Sequence, residues 1–308
     1  MHRSACWLHL LLFFTCGAAP QTDTGPDCCG QDGLSDSLFQ THVYSINGAD
    51  TLMLDLRMPV RKVPGSPGVI FLHGGGFSQG QRDRGPHVQL LDTLCAKGIV
   101  SASISYRLTM TGKGFGCQVP ALEKQGAVAT AAEDLNAARS WLELADPRLP
   151  KSWIAMGSSA GAEAAMWAGF GLAENRYAGV VAFSGAIADS AAVDASAPPF
   201  FGVHGTCDEV VPPNQAIHRR CGAEDPGAWA LCGGMCWAER MAAQGRPAHF
   251  HGYCGGDHAV CNAAMTDSAL TAALIAWIVQ PELHTSQFLG MKTEGGIFAE
   301  NQDCPPCQ

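Results

Sequence analysis

Short apolar runs ending in glycine- or histidine-rich loops alternate with stretches of helical spacing along most of the chain. A chain with that rhythm has few ways to bury itself. Strands that are apolar on both sides must be covered on both faces, which is the condition of a parallel sheet held between helix layers. Val69–Leu72 runs into His73-Gly74-Gly75-Gly76, and Trp153–Met156 into Gly157-Ser158-Ser159-Ala160-Gly161. Ile99–Tyr106, Gly179–Phe183 and Phe200–His204 read as further strands, with Ala248–Tyr253 as the last. Between them Glu123–Leu144 carries Val128, Ala131, Leu135, Ala138, Trp141 and Leu142 at helical spacing. Ala160 to about Leu172 reads as a helix of small residues, and Asp267–Val279 as the closing amphipathic helix. Ahead of these, Phe39–Ile46 and Thr51–Met58 alternate around Asn47-Gly48 like an antiparallel hairpin. The expected architecture is α/β, a mostly parallel central sheet flanked by helices in a single domain.

Two stretches break the alternation. Leu108–Lys124 is a glycine-rich loop, and Pro212–Pro247 is a long insertion holding Cys221, Cys232 and Cys236. Loops of that length in a compact domain are functional covers or disulfide-stapled excursions.

The N-terminus reads as an address. His2 and Arg3 precede the apolar run Ala5–Phe14, and Gly17-Ala18-Ala19 supplies a small-residue cleavage site. This predicts a signal peptide over residues 1–19, a folded domain over 20–281 and a disulfide-anchored tail over 282–308. The expected location is secreted and extracellular. Of 14 cysteines, Cys6 and Cys16 fall in the leader, leaving an even dozen for up to six disulfides. No asparagine has Ser or Thr two residues on, so N-glycosylation is not expected. With 28 acidic against 19 basic residues, the net charge of −9 argues against nucleic acid or an anionic membrane surface as partner. No other run is long enough for a membrane span.

Gly157-Ser158-Ser159-Ala160-Gly161 has the form G-x-S-x-G between an apolar strand and an Ala-rich helix. A nucleophile on a sharp strand-to-helix turn needs small neighbours, so that its hydroxyl is exposed and the backbone strain tolerated. Consecutive glycines after Val69–Leu72 let the backbone approach a ligand closely. There Gly75 and Gly76 would offer two N–H donors to a developing oxyanion, and Ala160 a third at a helix N-terminus. A phosphate cradle is disfavoured, because the Lys and Ser/Thr of a P-loop are missing. His249/His251 and Cys232/Cys236 lack further ligands at recognisable spacing, so no metal site is expected.

Together these segments resemble the α/β-hydrolase fold, and within it the esterase/lipase group with an HGGG oxyanion motif, including carboxylesterase- and feruloyl-esterase-like members. Ser105-Tyr106-Arg107-Leu108 resembles that group's Y-R-L segment, and Asp134 through Leu142 its helix before the nucleophile strand. Ser158 and Ala162 depart from the group's usual residues. In this fold the triad runs Ser, acid, His along the chain. Ser159 is then the nucleophile. His204 through Pro212 is similar to the family's acid loop, which makes Asp208 the acid, with Glu209 and Asp257 as rivals. His258, in Gly255-Gly256-Asp257-His258, lies where the family's general base sits, and His251 competes from within the strand. His73 and His204 read as structural supports. Cys207 adjoins the acid while Cys254 and Cys261 bracket the base, so a disulfide is expected to pin these loops, either Cys254–Cys261 or Cys207 to one of them.

The resemblance implies hydrolysis of small to medium acyl esters, as free small molecules or on polysaccharide, through an acyl-enzyme, a mechanism that needs no cofactor. A serine peptidase of the prolyl-oligopeptidase type and a non-catalytic binding protein on the same fold are the alternatives.

Overall fold

The computed structural model describes residues 38–172, 177–281 and 287–291. The expected leader over 1–19 and, apart from 287–291, the expected disulfide-anchored tail over 282–308 lie outside the described residues.

The strands are β1 (Leu38–Asn47), β2 (Asp50–Met58), β3 (Gly68–Leu72), β4 (Ser101–Ile104), β5 (Trp153–Ser158), β6 (Gly179–Phe183), β7 (Ala186–Ala188), β8 (Phe200–Gly205), β9 (Gln215–Ile217), β10 (Ala230–Gly233), β11 (Ala248–Tyr253) and β12 (Gln287–Met291). The helices are α1 (Pro86–Ala96), α2 (Ala121–Ala145), α3 (Ala160–Met166), α4 (Gly234–Ala243), α5 (Val260–Ala263) and α6 (Ser268–Val279). Nine strands form one sheet in the order β1-β2-β4-β3-β5-β6-β8-β11-β12. β1–β2 and β2–β4 are antiparallel, and every neighbouring pair from β4 onward is parallel.

The period-2 alternation of each central strand divides the core between two layers. Ile70, Leu72, Ala102, Ala155, Val180 and Phe200 pack toward α2, α3 and α4. Val69, Phe71, Ile154, Met156, Val181 and Phe201 pack toward α1 and α6. Both faces are therefore dry, as the continuous apolar runs required.

Three expectations are corrected. Ala248–Tyr253 is not the last strand, because Gln287–Met291 adds a parallel strand outside it. The Ala160–Leu172 helix is α-helical only to Met166 and continues as a wider π turn over Trp167–Gly171. The Pro212–Pro247 insertion is not a plain loop: β9 and β10 join β7 in a second, three-stranded sheet, and α4 follows. Short strands of three and four residues, interrupted by cysteines, are too brief to show a period.

Candidate active site

The parallel strands β3, β5, β8 and β11 all point their carboxyl ends to one edge of the sheet, where open α/β sheets bind ligands. The loops leaving those ends carry His73–Gly76, Ser159, Asp208 and His258 respectively.

Ser159 has φ 51° and ψ −122°, a conformation that costs an ordinary residue on the order of 1–3 kcal/mol. Its surroundings enforce it. The Ser159 N–H donates to the Phe183 carbonyl at 2.8 Å, and its own carbonyl accepts from Ala162 and Glu163 N–H at 2.8 and 3.0 Å. At Gly161 a Cβ would overlap the carbonyl of Leu72, so only glycine lets α3 cross this close to the end of β3. Ser158, one of the departures from the resembled pattern, donates its hydroxyl to the Cys261 carbonyl at 3.0 Å and so ties the end of β5 to α5.

Ser159 Oγ lies 2.8 Å from His258 Nε2, and His258 Nδ1 lies 2.7 Å from Asp208 Oδ2. The second carboxylate oxygen accepts the Val210 and Val211 N–H groups, each at 2.9 Å. Burial alone would raise the Asp208 pKa. Hydrogen bonds from His204 and His258 outweigh it and hold the carboxyl well below the usual carboxylate range, so Asp208 is ionised. His204 Nε2 donates to the Val211 carbonyl at 3.0 Å and sits 3.4 Å from Asp208 Oδ2, a support for the acid loop. The rival residues are occupied elsewhere. Glu209 pairs with Arg220 at 2.9 Å, Asp257 accepts from the Ala259 N–H, and His251 Nε2 lies 2.7 Å from that of His249.

The Asp208 and His258 loops are laced together. Thr206 N–H donates to the Tyr253 carbonyl at 3.0 Å, Cys207 N–H to the Gly256 carbonyl at 2.9 Å and Gly255 N–H to the Thr206 hydroxyl at 3.0 Å. Cys207 and Cys254 are both disulfide-bonded, whereas Cys261 is a free, buried thiol. Of the expected pairings, Cys254–Cys261 and Cys207–Cys261 are thus ruled out. Cys261 lies inward on α5, where burial pushes its thiol up to about 11 and leaves it inert.

Gly75, with φ 121°, could carry no side chain, because a Cβ would overlap the Gln79 carbonyl. Its own carbonyl accepts from the Ser78 and Gln79 N–H groups at 3.2 Å, closing a tight loop. The N–H groups of Gly75, Gly76 and Ala160 take no backbone acceptor among the described residues. Behind this loop the Tyr106 ring stacks on His73 at 4.5 Å and its hydroxyl donates to the His73 carbonyl at 2.7 Å. Arg107 donates to buried Asp134 from both side chain and backbone, at 2.9 and 2.8 Å. The Y-R-L segment and the Asp134 helix, noted separately in the sequence, are therefore two halves of one brace.

A cavity of about 540 Å³ opens over Ser159 and His258, with Gly75, Gly76, Phe115 and Arg219 among its walls. Its cover joins the two irregular stretches. Cys117 and Cys221, 104 residues apart, form a disulfide. Lys124 Nζ donates to the Gly227 carbonyl at 3.0 Å, and Gly227 N–H to the Cys117 carbonyl at 2.8 Å. Closing so long a loop stabilises the fold by about 2–4 kcal/mol, through the unfolded state. The paired Cys117→Ser, Cys221→Ser variant is expected to lose about that much in urea titration.

Sequence reading missed Glu163, Lys124 and Arg219. Glu163 lies four residues beyond Ser159, and that i, i+4 spacing was the available signal. Its side chain is 2% exposed and Oε1 has no hydrogen-bond partner among the described residues. Burial pushes the carboxyl up to about 8, opposed by Arg219 and Lys124, so it is neutral at pH 7. Because the folded pKa lies above the unfolded value of 4.5, the fold favours the protonated acid. That contribution is complete below about pH 4.5 and is lost as pH rises through about 8, on the order of a few kcal/mol in all. Glu163→Gln is expected to flatten melting temperature against pH over that window, relative to the parent. Parallel profiles would show that Glu163 keeps an ordinary pKa.

Among the described residues, the one cluster of three potential metal ligands is Cys117, Cys221 and Asp225, whose sulfurs are consumed in the disulfide. Among the same residues no single helix is long and apolar enough to cross a membrane.

No protein-family model and no curated protein matches the chain. Solved structures do. Esterase 2 of the planctomycete Thermogutta terrifontis, in its native form, aligns with a TM-score of 0.55 at 17% identity, covering 77% of this chain and 90% of that one. The same enzyme phosphorylated by paraoxon gives 0.55, 17%, 77% and 90%. Its butyrate-bound form gives 0.54 at 17% identity over 81% of this chain and 96% of that one. At this identity the likeness establishes the fold alone: the chain has the α/β-hydrolase type of fold in a single domain.

Proposed function

We propose that this α/β-hydrolase is a secreted serine esterase that cleaves small to medium acyl esters through an acyl-enzyme. The observation that carries the reading is the hydrogen-bonded relay from Ser159 Oγ through His258 to ionised Asp208, with the serine on a strained turn. In the proposed cycle Ser159 Oγ attacks the acyl carbon while His258 Nε2 takes its proton. The tetrahedral oxyanion is met by the Gly75, Gly76 and Ala160 N–H groups. As it collapses the alcohol leaves with the proton from His258, and Asp208 balances the imidazolium charge in between. Water then repeats the sequence on the acyl-enzyme and releases the acid. No step calls for a cofactor. The disulfides at Cys117–Cys221 and Cys232–Cys236 support an oxidising destination, in keeping with the leader expected over residues 1–19.

The test is covalent labelling. Paraoxon is expected to add one diethylphosphoryl group, mapped to the Ser159 peptide, and to abolish hydrolysis of p-nitrophenyl acetate and butyrate in step with labelling. Activity that survives complete labelling, or an adduct on another residue, overturns the reading. Butyrate is expected to be cleaved far faster than palmitate.

A further inference from the structure

The cavity over Ser159 is lined by two arginines, Arg84 and Arg219, and by no aspartate or glutamate, in a chain whose net charge is −9. Neither guanidinium makes an ion pair among the described residues, whereas Arg82, Arg107, Arg139 and Arg220 all do. The contrast between neighbours is informative. Arg220 is neutralised by Glu209 at 2.9 Å, while Arg219 stands over the cavity. Both residues have positive φ, 56° and 52°, on a segment tied by the Cys117–Cys221 disulfide and by the Arg219 N–H to the Val210 carbonyl at 3.1 Å. Two successive non-glycine residues in that region cost roughly 1–2 kcal/mol each, a strain that persists only where the surroundings impose it. Around Arg219, burial pushes the Glu163 carboxyl up to about 8 against the pull of that guanidinium, and Asp208 is engaged by His258 and the Val210–Val211 backbone. Asp83, which precedes Arg84 in the chain, is absent from the cavity lining. Buried Lys124 adds positive potential beneath Phe115, its Nζ 5.6 Å from the ring centre.

Arginine binds a carboxylate bidentately, and a recess walled by protein strengthens the attraction. We propose that this site selects esters that carry a carboxylate, held by Arg219 with Arg84, over neutral esters of the same length. The inference rests on the ester-hydrolase reading and names its substrate class.

Binding separates the two. With the full-length, disulfide-intact Ser159→Ala protein, calorimetry would compare monoethyl succinate with diethyl succinate, and 4-acetoxybenzoate with its methyl ester. The first pair puts the charge on the acyl side and the second on the alcohol side, so the arm that discriminates tells which half of the substrate is anionic. In at least one arm the anion is expected to bind about tenfold tighter, an advantage that shrinks as salt rises. Adding Arg219→Gln is expected to remove most of that preference, and adding Arg220→Gln to leave it. Equal affinities in both arms, or a preference untouched by Arg219→Gln, overturn the proposal whatever the parent hydrolyses. If discrimination holds but the parent hydrolyses no ester, the anion site stands and the hydrolase reading fails.

Discussion

Ser159→Ala is expected to lower kcat on p-nitrophenyl butyrate by about a millionfold, with KM changed severalfold at most. Removing Oγ removes the attacking atom and leaves His258 Nε2 without the hydroxyl that lies 2.8 Å from it. What remains is water attack assisted by the Gly75, Gly76 and Ala160 N–H groups, still above the uncatalysed rate. The fold should be untouched, because the strained turn is held by backbone bonds to Phe183, Ala162 and Glu163 rather than by the hydroxyl. A variant that retains more than a few percent of parent activity in single-turnover kinetics would mean that another nucleophile does the work.

Asp208→Asn is expected to cost about ten-thousandfold in kcat, by a different route. The side chain has two jobs. One oxygen accepts the Val210 and Val211 N–H groups, and the other faces His258 Nδ1 at 2.7 Å. Asparagine has one acceptor atom, and the two backbone donors at 2.9 Å compete for it against His258 Nδ1, while His204 Nε2, 3.4 Å from the carboxylate, keeps the Val211 carbonyl as its acceptor. The amide oxygen therefore keeps the backbone bonds, and the NH₂ turns to His258. Nδ1 must then accept and Nε2 must carry the hydrogen, which is the tautomer that cannot take a proton from Ser159. Because the loop bonds survive, the melting temperature should move little while kcat collapses. A proportional loss of both would mean that Asp208 only holds its loop.

The nucleophile turn was legible because its requirements are local. Gly157, Ser159 and Gly161 must be adjacent in sequence to make a sharp strand-to-helix turn, and the same holds for His73 through Gly76. The central strands were legible because each is apolar on both faces. Asp208 and His258 were reached through resemblance, since an acid and a base 50 residues apart leave no local pattern. Arg219 stayed hidden for a further reason. Its position over the cavity depends on a disulfide to Cys117 and on β9 and β10 being drawn into the small sheet, all long-range contacts within a stretch that has no period. Glu163 carries no motif of its own within a helix of small residues. Only the packing of α3 beneath the site makes it buried and neutral.

The relay is assembled from two pairs of strands with β6 between them. β3 and β5 carry the glycine loop and Ser159, while β8 and β11 carry Asp208 and His258. The pairs lie on either side of β6, and the second side ends at an outer strand, β12. Local opening free energies are lowest at such margins. On the proposed esterase reading, turnover reports the docking of the whole sheet rather than its secondary-structure content. A partially opened molecule would keep its nucleophile turn and most of its helices yet be silent, with the base swung out of reach.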